Sequence, residues 1–488
     1  MKKIISIIIL LLLPLLLIGQ NLTPIEFGFL EAQTDKQRYD VLLKTHQEAR
    51  ERGLGVSYEG VPDFSLTVTH ETKSIPLSDY TDFAGVRITI ANNSHNHTLF
   101  TLTQPLDSVF TNREQLNRGN FGKTKELRDG LKLLVIEDKI PWVYRRQGYA
   151  YGAQRRDILL LKNGRAINKP IYQYEEENSN PVFFYCNATP EQKVIKNVII
   201  NRAGDASHVT NFIRIEGTNN VQLSNIKINT PPSNLVADRA ISILNSTNIT
   251  IENVVIDGTY SLANKSGYGI SMNNVWNSHF IRLHAFGNWG VFGTNNTNHV
   301  SMEDSFINRF DIHCYGRDVF FKNTVFMNLY NQFSSLYGKL RFDNCQFINF
   351  VPVLFETSYS AYSYFELEFA NCILQVDKER PYLIRAGNPS QLAYKFRKEF
   401  SKVEWPDIKI DGLIVNMPEG VKNWTLFQLS GNNDAKISAL SHITVDGLII
   451  KAGNKRPIVK LTNKKIKLTN PLKIQLSNSN ISSIEQYE

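Results

Sequence analysis

Residues 309–318 read RFDIHCYGRD, crowding Arg309, Asp311, His313, Tyr315, Arg317 and Asp318 into a stretch whose neighbours are mostly Asn, Ser, Thr, Val and Ile. A packed core has no use for so many titratable groups, so the segment is either a solvated turn or a site. These residue types suit eliminative cleavage beside a carboxylate. That reaction needs a group to neutralise the carboxylate so that the neighbouring carbon acid can ionise, a base for the proton released, and an acid for the leaving oxygen. Arg239 or Arg309, helped by Asn288, fits the first task, and His313 and Tyr315 fit the other two in either order. Trp289 or Tyr268 would give a sugar ring a flat face to stack on. Lys265, Asp311 and Asn331 complete the set of candidate substrate contacts.

For residues so far apart in the chain to meet, a repeating architecture must stack them. One pattern recurs between residues 190 and 450: apolar, any, apolar, any, a turn residue that is often Asn, then another apolar strand. It reads VQLSNIKI from Val221, ITIENVVI from Ile249, VSMEDSFI from Val300, VFFKNTVF from Val319, LRFDNCQF from Leu340 and LEFANCIL from Leu367. Weaker copies begin at Lys193, Phe280, Ile408 and Ile443. Period-two alternation inside short strands, at a coil length that varies only by loop insertions, predicts a parallel β-helix whose coils share one core. Asn225, Asn253, Asn323, Asn344 and Asn371 then stack as a ladder at one bend, where a residue tolerant of left-handed backbone is wanted. Cys345 and Cys372 follow that Asn on consecutive coils. A disulfide is geometrically open to them, but buried free thiols are expected, because earlier coils carry Ile226 and Val254 there.

Aligning the strand that opens each coil, FIRIEG at Phe212, AISILN at Ala240, GISMNN at Gly269, GVFGTN at Gly290 and DIHCYG at Asp311, points Ile241, Ile243, Ile270, Met272, Val291, Gly293, Ile312 and Cys314 inward. His313 and Tyr315 then face outward. The residues entering these strands, Asp238 and Arg239, Lys265 and Tyr268, Asn288 and Trp289, Arg309 and Asp311, Tyr330 and Asn331, form a strip. At about 5 Å per coil it is roughly 20 Å long, room for several sugar units. The segment WVYRRQGYAYGAQRRD adds Arg145, Arg146, Arg155 and Arg156, interleaved with Tyr149 and Tyr151, as holders of sulfate or carboxylate at outer subsites.

At the N-terminus, Lys2 and Lys3 precede an apolar run from Ile4 to Ile18, too short for the roughly 20 residues of a membrane span and suited to a signal peptide over residues 1–20. A secreted or periplasmic protein without a membrane span is expected. Removing that leader takes the formal charge from +8 to +6, which outside a cell suits acidic polysaccharide or a membrane surface more than nucleic acid; no nucleic-acid partner is expected. Four cysteines exclude a disulfide-dense scaffold. Thr34 and Gln37 are spaced as a capping box, Tyr39, Leu42 and Leu43 lie at helical spacing, and Gly53 stops the run. Residues 21–55 are therefore read as a segment whose helix caps the open end, 56–455 as the β-helix, and 456–488 as a C-terminal tail or cap.

A leader, a capping helix running into GLGVSYEG, and Asn-laddered coils together resemble the right-handed, pectate-lyase-like β-helix superfamily. Within it the chain resembles exported Bacteroidetes-type polysaccharide lyases acting on glycosaminoglycan or other uronate polymers. The resemblance implies an all-β, right-handed parallel β-helix and a monomeric polysaccharide lyase acting by β-elimination. No acidic cluster of the kind that holds calcium on consecutive coils is present in the sequence, so no cofactor is expected. Two alternatives stand beside it. An inverting glycosidase would need two carboxyl groups roughly 6.5–9.5 Å apart, for which Asp311 and Asp238 are the pair. A glycan-binding solenoid would need aromatics without a base.

Overall fold

The computed structural model describes residues 21–67, 73–90, 97–143, 153–170, 174, 179–203, 209–230, 237–258, 267–313, 315–327, 330–334, 336–348, 351–355, 364–387, 403–404, 407–430, 437–438, 442–451, 458–464 and 473–487. Residues 1–20, the expected leader, lie outside them, as do Cys314, Arg145, Arg146, Tyr149, Tyr151 and Lys265.

The helix Asp35–Arg52 begins as its sequence dictates. Thr34 accepts from the Gln37 amide at 3.2 Å while Gln37 Oε1 accepts from the Thr34 amide at 3.0 Å, and Gly53 closes the far end at φ +65°. Tyr39, Leu42, His46 and Ala49 bury one stripe against the first coil, so the otherwise open end of the stack is covered.

Behind it the chain winds as a parallel β-helix. Strands of successive coils pair in parallel, for example Ile213 with Ile241, Ile241 with Ile270, Ile270 with Val291 and Val291 with Phe310. The inward column Ile215, Ile243, Met272, Gly293, Ile312, Phe333 is one residue wide and, Gly293 apart, fully apolar. Burying each such Ile or Phe contributes about 1.5–3 kcal/mol relative to exposure. No coil could collect that alone.

The Asn ladder is present. Asn225 donates to Asn197 at 3.0 Å, Asn253 to Asn225 at 3.1 Å and Asn344 to Asn323 at 2.8 Å, and Asn225, Asn253, Asn323, Asn344 and Asn371 all have φ between +49° and +54°. A second ladder, which the repeat pattern did not single out, stacks Asn245, Asn274 and Asn296 at another bend, linked at 2.9 and 3.1 Å. Cys345 and Cys372 are buried free thiols, and burial pushes the Cys345 thiol up.

Two features differ from the sequence expectation. The strand Phe310–His313 sits two residues along from the expected register, with Phe310 level with Val291 and Ile312 level with Gly293. Because the shift is even, Ile312 still points inward and His313 outward. Beside the solenoid lies an antiparallel sheet built from Asp107–Val109, Leu131–Val143, Ala153–Lys162, Arg165–Ala166 and Val182–Asn187. The run LKLLVIE is apolar on both faces. Leu134 and Ile136 pack into a cluster that includes Tyr315, and Leu133 and Val135 into one that reaches Trp276. Past residue 455, Ile458–Lys464 pairs with Asn423–Ser430 and Lys473–Ser477 with His442–Asp446, so the stack continues into the C-terminal segment.

Candidate active site

Arg309, Asp311 and His313 alternate along one strand and therefore face the same way. Asp311 is fully buried and accepts four hydrogen bonds: from Arg309 Nε at 2.8 Å, from Arg309 Nη2, from Tyr268 Oη and from the Gln332 amide at 3.1 Å. The Arg309 guanidinium is sandwiched, with Trp289 4.2 Å away on ring centroid and Tyr330 4.4 Å. Both aromatic faces attract the cation. Its Nη1 finds no hydrogen-bond partner among the described residues, although it is buried.

Electrostatically the two halves of this pair pull in opposite directions. Burial pushes the Asp311 carboxyl above its usual range against the pull of Arg309, while Asp311 holds the guanidinium above its own range despite burial. The ionised pair is the state consistent with the geometry, because a proton on Asp311 would displace one of four donors.

His313 keeps 11% of its side chain exposed. Its ring meets Phe292 edge-on at 4.7 Å, and Phe292 stacks on Tyr268 at 4.7 Å. Its Nε2 lies 2.9 Å from Gln332 Nε2 and 3.8 Å from Asp311 Oδ2. Arg309, Asp311, His313, Tyr268 and Trp289, all named from the sequence, thus come together. Arg239 does not join them: it is partly exposed, level with Asn211, and stands three coils before the Arg309 strand at a position with the parity of the inward Ile241.

Several other expectations are corrected. Tyr315 does not join His313. It takes φ +80°, is fully buried, and donates to the Gln154 carbonyl at 2.6 Å, anchoring the lateral sheet. Asn288 donates to the Ile256 and Phe286 carbonyls and accepts from the Gly290 amide, so its side chain is spent on holding a turn. Asn331 likewise joins the Phe310 amide to the Pro352 carbonyl. Arg155 is fully buried in the lateral sheet, 3.9 Å from Asp138 and 5.8 Å over the Tyr174 ring, and is not part of the strip. Arg156, about a third exposed, faces Glu137 at 3.5 Å. Asp311, with every lone pair engaged, is unsuited to act as one of two open carboxyl groups of an inverting hydrolase.

Gln332 and Phe292 were missed. Both sit at the outward position level with Asp311, one coil on and one coil back, which only the true register discloses. Among the described residues no three His, Cys, Asp or Glu side chains come together in a way that could hold a metal ion, and no helix is long and apolar enough to cross a membrane.

No family model matches the chain, and no curated protein does. Solved structures do. The tailspike protein gp49 of Pseudomonas phage LKA1 superposes with a TM-score of 0.52 at 11% identity, covering 96% of this chain and 82% of its own. The tailspike gp61 of Pseudomonas phage phi297 gives 0.51 at 10% identity, covering 92% and 80%. At such identity the likeness is one of fold.

Proposed function

We propose that this protein acts on a polysaccharide at the outward strip around His313, and that the reaction is β-elimination on an acidic, uronate-containing polymer of the glycosaminoglycan type. The observation that carries the proposal is the juxtaposition of an aromatic-sandwiched Arg309, whose Nη1 has no partner among the described residues, with an imidazole that keeps 11% of its side chain exposed on the strand Arg309 leads into. In this reading bound polymer opens the Trp289 and Tyr330 rings over Arg309, which is 1% exposed without it, and Arg309 Nη1 then binds the uronate carboxylate. His313 takes the proton from the carbon beside it, the bond from the next carbon to the glycosidic oxygen breaks, a carbon–carbon double bond forms, and the departing oxygen takes up a proton. Tyr330, partly exposed with its ring on Arg309, replaces Tyr315 as the candidate acid. Trp289 offers the sugar-stacking face.

The resemblance to exported polysaccharide lyases and the basic net charge, +6 once the expected leader is removed, support an acidic substrate. Secretion is part of the proposal, on the strength of the Lys2–Ile18 sequence. The engagement of Asp311 by Arg309 argues against the hydrolase alternative. A non-catalytic glycan-binding solenoid would leave the imidazole without a task.

The test is incubation of the purified protein with chondroitin, dermatan, hyaluronan, heparan, pectin and alginate, followed by ultraviolet absorbance with and without chelator. A rise that survives chelator is expected. New reducing ends without absorbance would replace the lyase by a hydrolase, and binding without products would replace both by a binding solenoid.

A further inference from the structure

Gln332 lies between the ion pair and the imidazole and touches both. Its side-chain oxygen accepts from Arg309 Nη2 at 3.3 Å, its Nε2 lies 2.9 Å from His313 Nε2, and its backbone amide donates to Asp311 Oδ1 at 3.1 Å. The amide can be oriented only one way. A guanidinium has no acceptor, so the oxygen must face Arg309 and the NH2 must face His313. A nitrogen that receives an amide N–H must carry its lone pair, so His313 Nε2 is unprotonated and the ring proton sits on Nδ1.

We infer that Gln332 is a positioning residue that fixes His313 as the neutral Nδ1–H tautomer, making Nε2 its basic atom. Protonating Nε2 would set two donors face to face. Turning the amide to relieve that would set its NH2 against the Arg309 guanidinium instead, so the ion pair resists the turn. Among the described residues the charged groups facing the imidazole are Asp311 on its own strand, at 3.8 Å and already neutralised by Arg309, and Arg309 itself through Gln332. Phe292, from the preceding coil, brings no charge. A substrate hydrogen must therefore compete with the Gln332 amide for one lone pair. The inference gives the proposed base its reactive atom and in that respect rests on the proposed function, but its core, the tautomer, does not need a substrate to be read.

The experiment is nitrogen NMR on protein labelled with 15N at histidine, without substrate. The chain has ten histidines, so the His313 signals are assigned by subtracting the spectrum of His313→Asn. Expected are a protonated Nδ1 and an unprotonated Nε2 at neutral pH. In Gln332→Glu, a carboxylate that can only accept should move the proton to Nε2, and in Gln332→Met, which has no amide, the fixed tautomer should give way to exchange between forms. Overturning results are an Nε2–H or imidazolium His313 in the unaltered protein, or a folded Glu or Met variant with its His313 spectrum unchanged. On any polymer the protein cleaves, Gln332→Glu should also shift the acid limb of the rate profile upward by about one to two pH units, because a nearby carboxylate favours the charged imidazole. A confirmed tautomer with no cleavage of any polymer would sink the function and leave this inference standing. Cleavage with the wrong tautomer would do the reverse.

Discussion

The Asn bend and the His313 strip run along the same solenoid and solve the same problem by opposite means. At the bend, Asn197, Asn225 and Asn253 share one left-handed backbone and each amide bonds to the copy of itself one coil away. Repetition satisfies the amides that join the coils, with Asp82 and Arg282 closing the two ends of the run. At the strip, the outward position level with Asp311 runs Ser242, Ser271, Phe292, Asp311, Gln332, no two adjacent coils past Ser271 alike. Apart from Arg309 Nη1, its polar groups are satisfied by a carboxylate, a guanidinium, a phenol and an amide of different residues. In a stack built by repetition, the place where repetition stops while burial continues is where something other than stacking is served.

The largest effect should come from breaking the strip's ion pair. Asp311→Ala leaves a buried guanidinium uncompensated and should cost about 3–5 kcal/mol in denaturant unfolding, whereas Asp311→Leu combined with Arg309→Met should recover most of it. If the single variant costs no more than a surface change, the pair is not the strip's keystone.

A pH effect at the capped end sharpens the contrast between a structural and a site histidine. His46 accepts from the Ser78 amide on Nδ1 at 3.3 Å and meets Tyr58 Oη at 3.0 Å through Nε2. Burial, aided by Arg50, lowers its pKa to about 3. Its folded value thus lies below the unfolded one, so the unfolded chain takes up a proton first. Stability should fall as pH drops from about 6.5 towards 3, by up to about 1.4 kcal/mol per pH unit from this group. Thermal melts of the protein against His46→Gln should differ in slope across that window, and identical slopes would contradict the burial.

A smaller loss is expected at the ladder. Asn253→Ala removes a side chain that donates to Asn225 and accepts from Arg282, and places an ordinary Cβ at φ +53°. About 2 kcal/mol should be lost. Asn253→Gly restores the backbone freedom and should lose less, so equal losses would mean that the amide ladder and not the left-handed turn carries the cost. The smallest stability effect belongs to His313→Ala, about 1 kcal/mol or less, since the imidazole touches solvent.

What the sequence made legible follows from the same contrast. The coils, the bend Asn225 to Asn371, the helix cap at Thr34 and the outward direction of His313 were all readable, because alternation and repetition are local signals. The register was not, since coils carry insertions of unequal length. One signal could have corrected it. Gly290 has φ +92°, and a Cβ there would lie 2.1 Å from the Arg309 carbonyl, so the glycine marks the coil that passes under Arg309. Tyr315 failed for a related reason. The strand ends at His313, and Tyr315 stands in the left-handed column of Gly217, Asn245, Asn274 and Asn296, where alternation no longer predicts direction. Asn288, Asn331 and Arg155 failed because residue type does not disclose that a polar side chain is already spent on backbone or on a buried partner.

A polysaccharide is proposed to be processed at the strip around His313. The most direct test of this is the initial rate of unsaturated-product formation by the protein and by His313→Ala on the polymer that gives the highest absorbance, with both melting curves recorded. A loss of at least about a hundredfold in rate is expected, as for removal of a general base, at nearly unchanged melting temperature. Full activity in a folded His313→Ala protein would contradict it.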